Sequence, residues 1–181
     1  RWNLEFDTDL IPGCRELMDM PLDRPAQRYF WSRRIELKDT WESAMLLCVP
    51  IVGSEGTVYG VCGVEISALY FQLSYPAAEG QFGSAVTVLA PMQDSRLLLS
   101  DGLVGSVSGT YLDGQETLVI HQGRYYNEYD TGKERYIGLH QTIAISKDDA
   151  ENTVWAAAIL IPQDSYVAYT ADVQKTWILA A

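Results

Sequence analysis

The chain of 181 residues carries 24 acidic residues against 13 Lys and Arg, which gives a formal net charge of −11. This excess of negative charge excludes electrostatic binding to nucleic acid or to anionic lipid as the main activity. Hydrophobic residues make up 48% of the chain, enough for a core, and the length allows one large or two small domains.

The first 28 residues contain three prolines that divide them into short pieces. We predict a short strand at residues 4–6 and a short helix within residues 11–20. No long helix is predicted in this part of the chain.

Residues 24–38, called the basic segment below, hold five of the 13 cationic residues, and only Glu36 opposes them. Arginine binds carboxylates through a planar two-pronged fork, and aromatic walls remove water from a pocket. The basic segment therefore predicts a site for an anionic or zwitterionic small molecule. A solvated loop with aromatic side chains packed beneath it is the alternative. The predicted ligand-binding residues are Tyr29, Trp31, Arg33, Arg34, Trp41 and Tyr59.

Arg33 is the preferred anion-binding residue of the basic segment. Side chains alternate between the two faces of an extended strand, so Trp31 and Arg33 would share one face and Arg34 would lie on the other. A buried arginine without an acidic partner is unfavourable. We therefore expect Arg33 to hold an acidic side chain or water when no ligand is bound.

Residues 46–67 read as two runs rich in Val, Ile, Leu and Cys, joined by the short polar stretch 53–56. This pattern predicts a β-hairpin with a three-residue loop in which Gly56 is left-handed. In that register Cys48 faces Cys62, although a four-residue turn would shift the pairing by one. Because both faces of the hairpin are mostly apolar, we expect it to be central and covered on both sides.

The three cysteines, at positions 14, 48 and 62, have neither the spacing of a zinc site nor the density of a disulfide framework. Only Cys48 and Cys62, as opposite residues of the predicted hairpin, are expected to come close enough for a disulfide. Two buried free thiols are the alternative, since free cysteine packs as a small hydrophobic residue.

The hairpin also resembles part of a known family. Its stretches 49–51 (Val-Pro-Ile) and 59–67 (Tyr-Gly-Val-Cys-Gly-Val-Glu-Ile-Ser), with Gly56 between them, resemble the end of a Cache domain. Cache domains are PAS-like extracellular sensor modules of bacterial transmembrane receptors. The second half of the chain resembles the membrane-proximal lobe of a double Cache sensor. The resemblance implies an α+β fold of two lobes, with PAS-like antiparallel sheets and flanking helices, and it places residues 31–41 along the ligand pocket.

Two departures from the family pattern limit what the resemblance implies. Cache domains usually open with a long helix and early strands, so we expect this chain to begin inside an incomplete first lobe. Amino-acid-binding members combine Tyr, Arg, Trp and Tyr at a set spacing that residues 29–33 do not match. Amino acids are therefore not predicted as the ligand.

Residues 66–73 predict a helix that residues 75–76 (Tyr-Pro) end, and the small, polar stretch 77–82 predicts a domain boundary. We expect a membrane-distal lobe over residues 1–78 and a membrane-proximal lobe over residues 79–181. Strand patterns then return, with a turn at 91–95, and predict an antiparallel sheet. These strands are predicted at residues 85–90, 96–99, 116–121, 124–129, 136–145 and 153–161.

The last segment, residues 163–181, predicts an amphipathic helix with Tyr166, Tyr169, Val173 and Trp177 on one face. The apolar run that begins at Trp177 resembles the start of a transmembrane helix, although it is far shorter than a span. An ordinary terminal helix is the alternative.

The sequence lacks a catalytic or metal-binding pattern that we recognise. His121 and His140 do not have metal-ligand spacing, and no nucleophile elbow or phosphate loop is present. We predict no enzyme activity, cofactor or metal, but an extracytoplasmic, membrane-anchored sensor domain that binds a small molecule and relays a change through its terminal helix. A homodimer is compatible with this function. The alternatives are a ligand-free interaction or dimerisation module and an enzyme domain of an unrecognised α+β class.

Overall fold

The computed structural model describes residues 11, 14–19, 29–37, 41–74, 79–80, 83–106, 112, 114–143 and 154–180. The strand predicted at residues 4–6 and the start of the basic segment lie outside these residues. The described helices are α1 (Cys14–Asp19), α2 (Ala68–Ser74) and α3 (Gln163–Ala180). The described strands are β1 (Phe30–Trp31), β2 (Ile35–Glu36), β3 (Ser43–Val52), β4 (Val58–Ser67), β5 (Glu79–Gly80), β6 (Gly83–Ser84), β7 (Val86–Gln93), β8 (Arg96–Leu98), β9 (Leu103–Ser106), β10 (Thr117–His121), β11 (Asn127–Asp130), β12 (Arg135–Ile143) and β13 (Val154–Pro162).

The described strands pair antiparallel and form two main sheets, beside a two-residue pair of β5 with β6. In the first sheet, β3 pairs with β4 along one edge and with β1 and β2 in succession along the other. In the second sheet the order is β13-β12-β11-β10-β8-β7-β9, and β13 also pairs with β7, which closes a ring of strands. Antiparallel sheets with flanking helices confirm the predicted α+β class. The lobe boundary at residue 78 stays a prediction.

The turn between β3 and β4 has the predicted form. The Gly53 N–H donates to the Thr57 carbonyl at 2.9 Å, the Gly56 N–H donates to the Gly53 carbonyl at 3.0 Å, and Gly56 has φ +80°. This is a three-residue loop with a left-handed glycine, which fits the twist of the strands. The prediction of a hairpin turn at this position is confirmed.

The predicted register of the hairpin is wrong beyond the turn. Val52 pairs with Val58 as expected, but an irregularity between Ile51 and Val52 shifts the remaining pairs by one residue. Cys48 therefore lies opposite Gly63 rather than Cys62. A shift of one residue reverses the face of every side chain, so Cys48 and Cys62 lie on opposite faces of the sheet.

The expectation that both faces of the hairpin are covered is also wrong. On one face Leu46 and Cys48 are buried against Cys14 of α1. On the other face, Val49 and Val64 are exposed even though both are apolar. The physical reason is that the cluster formed by Phe71, Leu103 and Trp155 covers this face only around Met45 and Ile66.

The core of the second sheet lies inside the ring of strands. Side chains alternate along β13, where Ala158 is buried inside while Ile159 is exposed outside. Complete burial of a valine or leucine side chain contributes about 1.5–3 kcal/mol, so this core is the main source of stability. Its buried residues are Val86, Val88, Ala90, Leu97, Leu99, Leu112, Leu118, Ile120, Tyr129, Tyr136, Ala156, Ala158 and Leu160.

The turn predicted at residues 91–95 is shorter than expected. β7 continues to Gln93, and only Asp94 and Ser95, both with positive φ, form the turn into β8. Along one edge of β7, the residues up to Leu89 pair with β9 and those from Met92 pair with β8. Pro91 lies in the gap between them, and a proline is tolerated there because it has no N–H to donate.

α3 begins directly after β13 and contacts mainly β12 and β13. Tyr166, Tyr169 and Val173 are half-buried, as the predicted stripe requires, whereas the side chain of Trp177 lies outside the described residues. The 18 residues of α3 extend over about 27 Å. In the part of the chain that the structure describes, no helix is both long and apolar enough to cross a membrane.

Candidate ligand site at the junction of the two sheets

The described part of the basic segment runs alongside β3 and is fixed to it at Ser32. Trp31 of β1 pairs with Leu47 of β3, and the Ser32 N–H donates to the Leu46 carbonyl at 2.9 Å. The buried Ser32 hydroxyl in turn accepts a hydrogen bond from the Leu46 N–H at 2.8 Å. These two bonds hold the chain where β1 ends, so that Arg33 follows at a defined position.

Arg33 and Arg34 contact the second sheet through Asp101. The Arg33 guanidinium lies 2.9 Å from the Asp101 carboxylate, and the Arg34 N–H donates to the Asp101 carbonyl at 2.9 Å. Asp101 belongs to the short 3-10 helix Leu99–Asp101, which joins β8 to β9. The Arg33 side chain is 49% exposed and that of Asp101 26% exposed, so both charges remain partly hydrated.

Trp31 packs against a buried cluster that joins the two sheets. The cluster consists of Met45 from β3, Phe71 from α2, Leu103 from β9 and Trp155 from β13. These side chains are almost completely removed from water. A molecule that touches both Trp31 and Arg33 would therefore lie beside the contact between the sheets.

Trp41 and Tyr59 belong neither to this cluster nor to the Arg33–Asp101 pair. Trp41 is 99% exposed just before β3, and Tyr59 is 74% exposed near the turn at the opposite end of β3. Ten residues of strand separate the two ends by roughly 30 Å, so one small molecule does not touch both Trp41 and Tyr59. Tyr29, the remaining predicted residue, is half-buried just before β1.

The structure thus places Trp31, Arg33 and Arg34 at the junction and adds Asp101, which the sequence analysis missed. Its only local signal is the dipeptide Asp101-Gly102, which is typical of a turn. The acidic partner predicted for Arg33 is present, but it comes from a residue 68 positions away. Such a pair depends on how the two sheets meet.

A second polar group lies in the second sheet. The Tyr129 hydroxyl is 2.7 Å from Nδ1 of His140, and the Asn127 amide nitrogen is 3.3 Å from the same atom. Burial raises the pKa of Tyr129, while a hydrogen bond with Asn127 lowers it by less. The phenol therefore keeps its proton at neutral pH, and it is hydrogen-bonded to Nδ1 of His140. His140 is a hydrogen-bonded, half-buried strand residue, and His121 is exposed.

Metal binding has no support in the described residues. Residues 29–37, 41–74 and the other described ranges contain no group of three or more His, Cys, Asp or Glu side chains that could hold a metal ion. The groups that the structure places at the junction are a guanidinium, a carboxylate and aromatic rings.

No family model matches the sequence, and a search of curated proteins gives no significant match. Solved structures that resemble it include the ligand-binding domain of the Pseudomonas fluorescens chemoreceptor CtaA in complex with L-serine. That match has 13% identity and a TM-score of 0.51, and it covers 88% of this chain and 63% of the receptor chain. The ligand-binding domain of the Pseudomonas aeruginosa PAO1 amino acid chemoreceptor PctC, in complex with GABA, matches with 15% identity and a TM-score of 0.44 over 75% of this chain and 57% of that chain.

The CtaA comparison establishes the fold. The chain spans less than two thirds of the length of that receptor domain. It shares the fold of the Cache-type ligand-binding domains of bacterial chemoreceptors, so the resemblance found in residues 49–67 is confirmed at the level of fold.

Proposed function

We propose that this chain is the extracytoplasmic sensing domain of a bacterial transmembrane receptor, without enzyme activity, and that it binds a small anionic or zwitterionic molecule. The observation that carries the proposal is the fold shared with the CtaA ligand-binding domain, which was solved with L-serine bound. Fold alone does not identify a ligand. The residues at the junction supply the chemistry.

The ligand site that we propose lies at Trp31, Arg33 and Asp101. The Arg33 guanidinium offers a planar fork for a carboxylate, and its partial exposure lets a ligand approach from solvent. A zwitterionic ligand can insert into the Arg33–Asp101 pair, with its carboxylate on Arg33 and its ammonium group on Asp101. Trp31 then covers one side of the ligand. Arg34 fixes the Asp101 backbone.

The position of the site also suggests how ligand binding could affect the terminal helix α3. Asp101 lies two residues before Leu103 of β9, and Leu103 shares the junction cluster with Trp155 of β13. β13 leads directly into α3. A ligand shifts a receptor only by its different affinity for two states, so a change at the Arg33–Asp101 pair must favour one of two positions of α3.

The direct experiment is a thermal-shift screen of amino acids, including L-serine, and of small mono- and dicarboxylates, followed by calorimetry of each compound that stabilises the protein. Binding without chemical conversion supports a sensor. Conversion of the bound compound would instead favour an enzyme.

A ligand-free interaction or dimerisation module is the second candidate. It is favoured by the exposed apolar residues Val49, Ile51 and Val64 on one face of the hairpin β3–β4. Sedimentation over a range of protein concentrations distinguishes the two candidates. A concentration-dependent dimer in a protein that no screened compound stabilises would favour the second.

A further inference from the structure

Two of the three cysteines meet in the first sheet, and they are not the pair that the sequence suggested. Cys14 opens α1 and Cys48 lies in the middle of β3, and both side chains are buried in one apolar cluster with Ile11 and Leu46. The two side chains lie near enough to shift each other's pKa, and α1 packs on β3. Neighbouring cysteines in one buried cluster are placed to form a disulfide.

The third cysteine is excluded from this pair by the register of the hairpin. Cys62 lies opposite Val49, on the other face of the sheet, and it is exposed. The residue opposite Cys48 is Gly63, where a Cβ atom would lie 3.3 Å from the Cys48 sulfur. The absence of a side chain at Gly63 leaves room around that sulfur.

We propose that Cys14 and Cys48 form a disulfide that ties α1 to β3 and closes a loop around the predicted ligand-binding segment. The loop contains the 33 residues between positions 14 and 48 (48 − 14 − 1), among them Trp31 and Arg33. Closing a loop of this length removes conformational freedom from the unfolded chain. The disulfide therefore stabilises the fold that positions the segment carrying the site. This proposal is independent of the identity of the ligand.

The reaction is thiol–disulfide exchange with a small or protein disulfide as oxidant. The thiolate of one cysteine attacks the oxidant's disulfide and releases one oxidant thiol, and the thiolate of the other cysteine then displaces the second. The chain loses two protons and two electrons, and the oxidant's disulfide is reduced to two thiols. The sulfurs of Cys14 and Cys48 end joined to each other.

Burial determines when the exchange takes place. It raises the pKa of Cys14, and it raises that of Cys48 to about 12, so neither thiol is reactive while α1 is in place. α1 has only six residues, and a helix of this length is not stable without its tertiary contacts. The exchange therefore takes place during folding or while α1 is detached, and the completed disulfide is then protected from reductants.

The test refolds the reduced, unfolded protein with glutathione disulfide, blocks the remaining thiols with an alkylating reagent under denaturing conditions and measures the intact mass. We expect one alkylated cysteine per chain, Cys62, and a peptide in which Cys14 is linked to Cys48. Reduction before alkylation should restore three alkylated cysteines. The Cys62→Ser variant is the matched control, and it should form the same linkage and lose the remaining alkylation.

Peptide mapping of the unsubstituted protein shows which cysteines are linked. This measurement does not depend on a variant that could fail to fold. Three alkylated cysteines after refolding, or a linkage that includes Cys62, would overturn the proposal. As a second readout, the oxidised protein should unfold at a higher temperature than the reduced protein. Equal unfolding temperatures, with the Cys14–Cys48 peptide present, would overturn the stabilising role.

Discussion

Arg33 and Asp101 form an ion pair whose stability contribution is small. Both side chains are partly hydrated, and exposed pairs typically contribute 0–1 kcal/mol. Their proposed importance lies in recognition, because the pair presents both signs of charge at the contact between the sheets. Replacing one charge therefore affects binding more than folding.

The Asp101→Asn variant separates the two classes of ligand. An anionic ligand competes with the Asp101 carboxylate for Arg33, so its affinity should rise by about tenfold when that carboxylate is neutralised. A zwitterionic ligand loses the partner of its ammonium group, and its affinity should fall by a similar factor. Calorimetry with the matched Asp130→Asn variant, which alters the Asp130–Arg135 pair, is the control. Unchanged affinity for every ligand would exclude Asp101 from the site.

Tyr129 is the residue for which a pH effect is predicted. Burial raises its pKa above the ordinary value of 10.0, so the folded protein keeps this proton to a higher pH than the unfolded chain does. The resulting stabilisation is complete below about pH 10 and is lost as the pH rises through the folded-state pKa. The free energy of unfolding should therefore fall more steeply above pH 10 in the wild type than in Tyr129→Phe.

At pH 7 the same Tyr129→Phe variant should lose about 0.5–1.5 kcal/mol, because the hydrogen bond to His140 is removed. Urea unfolding at several pH values measures both effects. The control is Tyr125→Phe, whose ring is exposed and whose substitution should leave both unchanged. Parallel pH curves for wild type and Tyr129→Phe would contradict the assignment.

At the scale of elements, the hairpin β3–β4 has one buried end and one exposed end on the same face. Met45 is 0% exposed and belongs to the junction cluster, whereas Val64 is 63% exposed. Met45→Ala should cost about 2–5 kcal/mol of unfolding free energy, and Val64→Ala less than about 0.5 kcal/mol. Urea unfolding at pH 7 measures both costs. Similar costs for the two variants would mean that the face bearing Val64 is covered in solution.

The same hairpin explains what the sequence could and could not predict. The turn was predictable, because a glycine with positive φ after a short polar stretch is a local signal. The irregularity between Ile51 and Val52 has no such signal, and it moved Cys48 from Cys62 to Gly63. Six strands of the second sheet followed from local patterns, but β9 and the pairing of β13 with β7 that closes the ring did not.

The candidate site was predictable only in kind. The composition of the basic segment indicated Trp31 and Arg33, and the chemistry of a guanidinium required an acidic partner. The identity of Asp101 as the partner of Arg33 follows from the way β3 and the second sheet are placed, and Trp41 is exposed to solvent. No local pattern encodes that placement.

At the scale of the whole molecule, the account requires α3 to have two positions. Cysteines introduced at exposed positions such as Ala168 and Asp172 should cross-link to a second copy of the full-length protein, and ligand should change the rate of cross-linking. The reason is that α3 follows β13, whose Trp155 lies in the junction cluster. An identical cross-linking pattern with and without ligand would count against relay through α3.

The central claim, that the chain binds a charged small molecule at the junction, is tested most directly by calorimetry of one ligand from the screen with three proteins. Arg33→Ala should lower the affinity by about 1.5–3 kcal/mol, roughly tenfold to a hundredfold, because a hydrogen-bonded charge is lost. Arg135→Ala removes an exposed arginine of a comparable ion pair and should bind like the wild type. Wild-type affinity in both Arg33→Ala and Trp31→Ala would contradict the account and exclude this site.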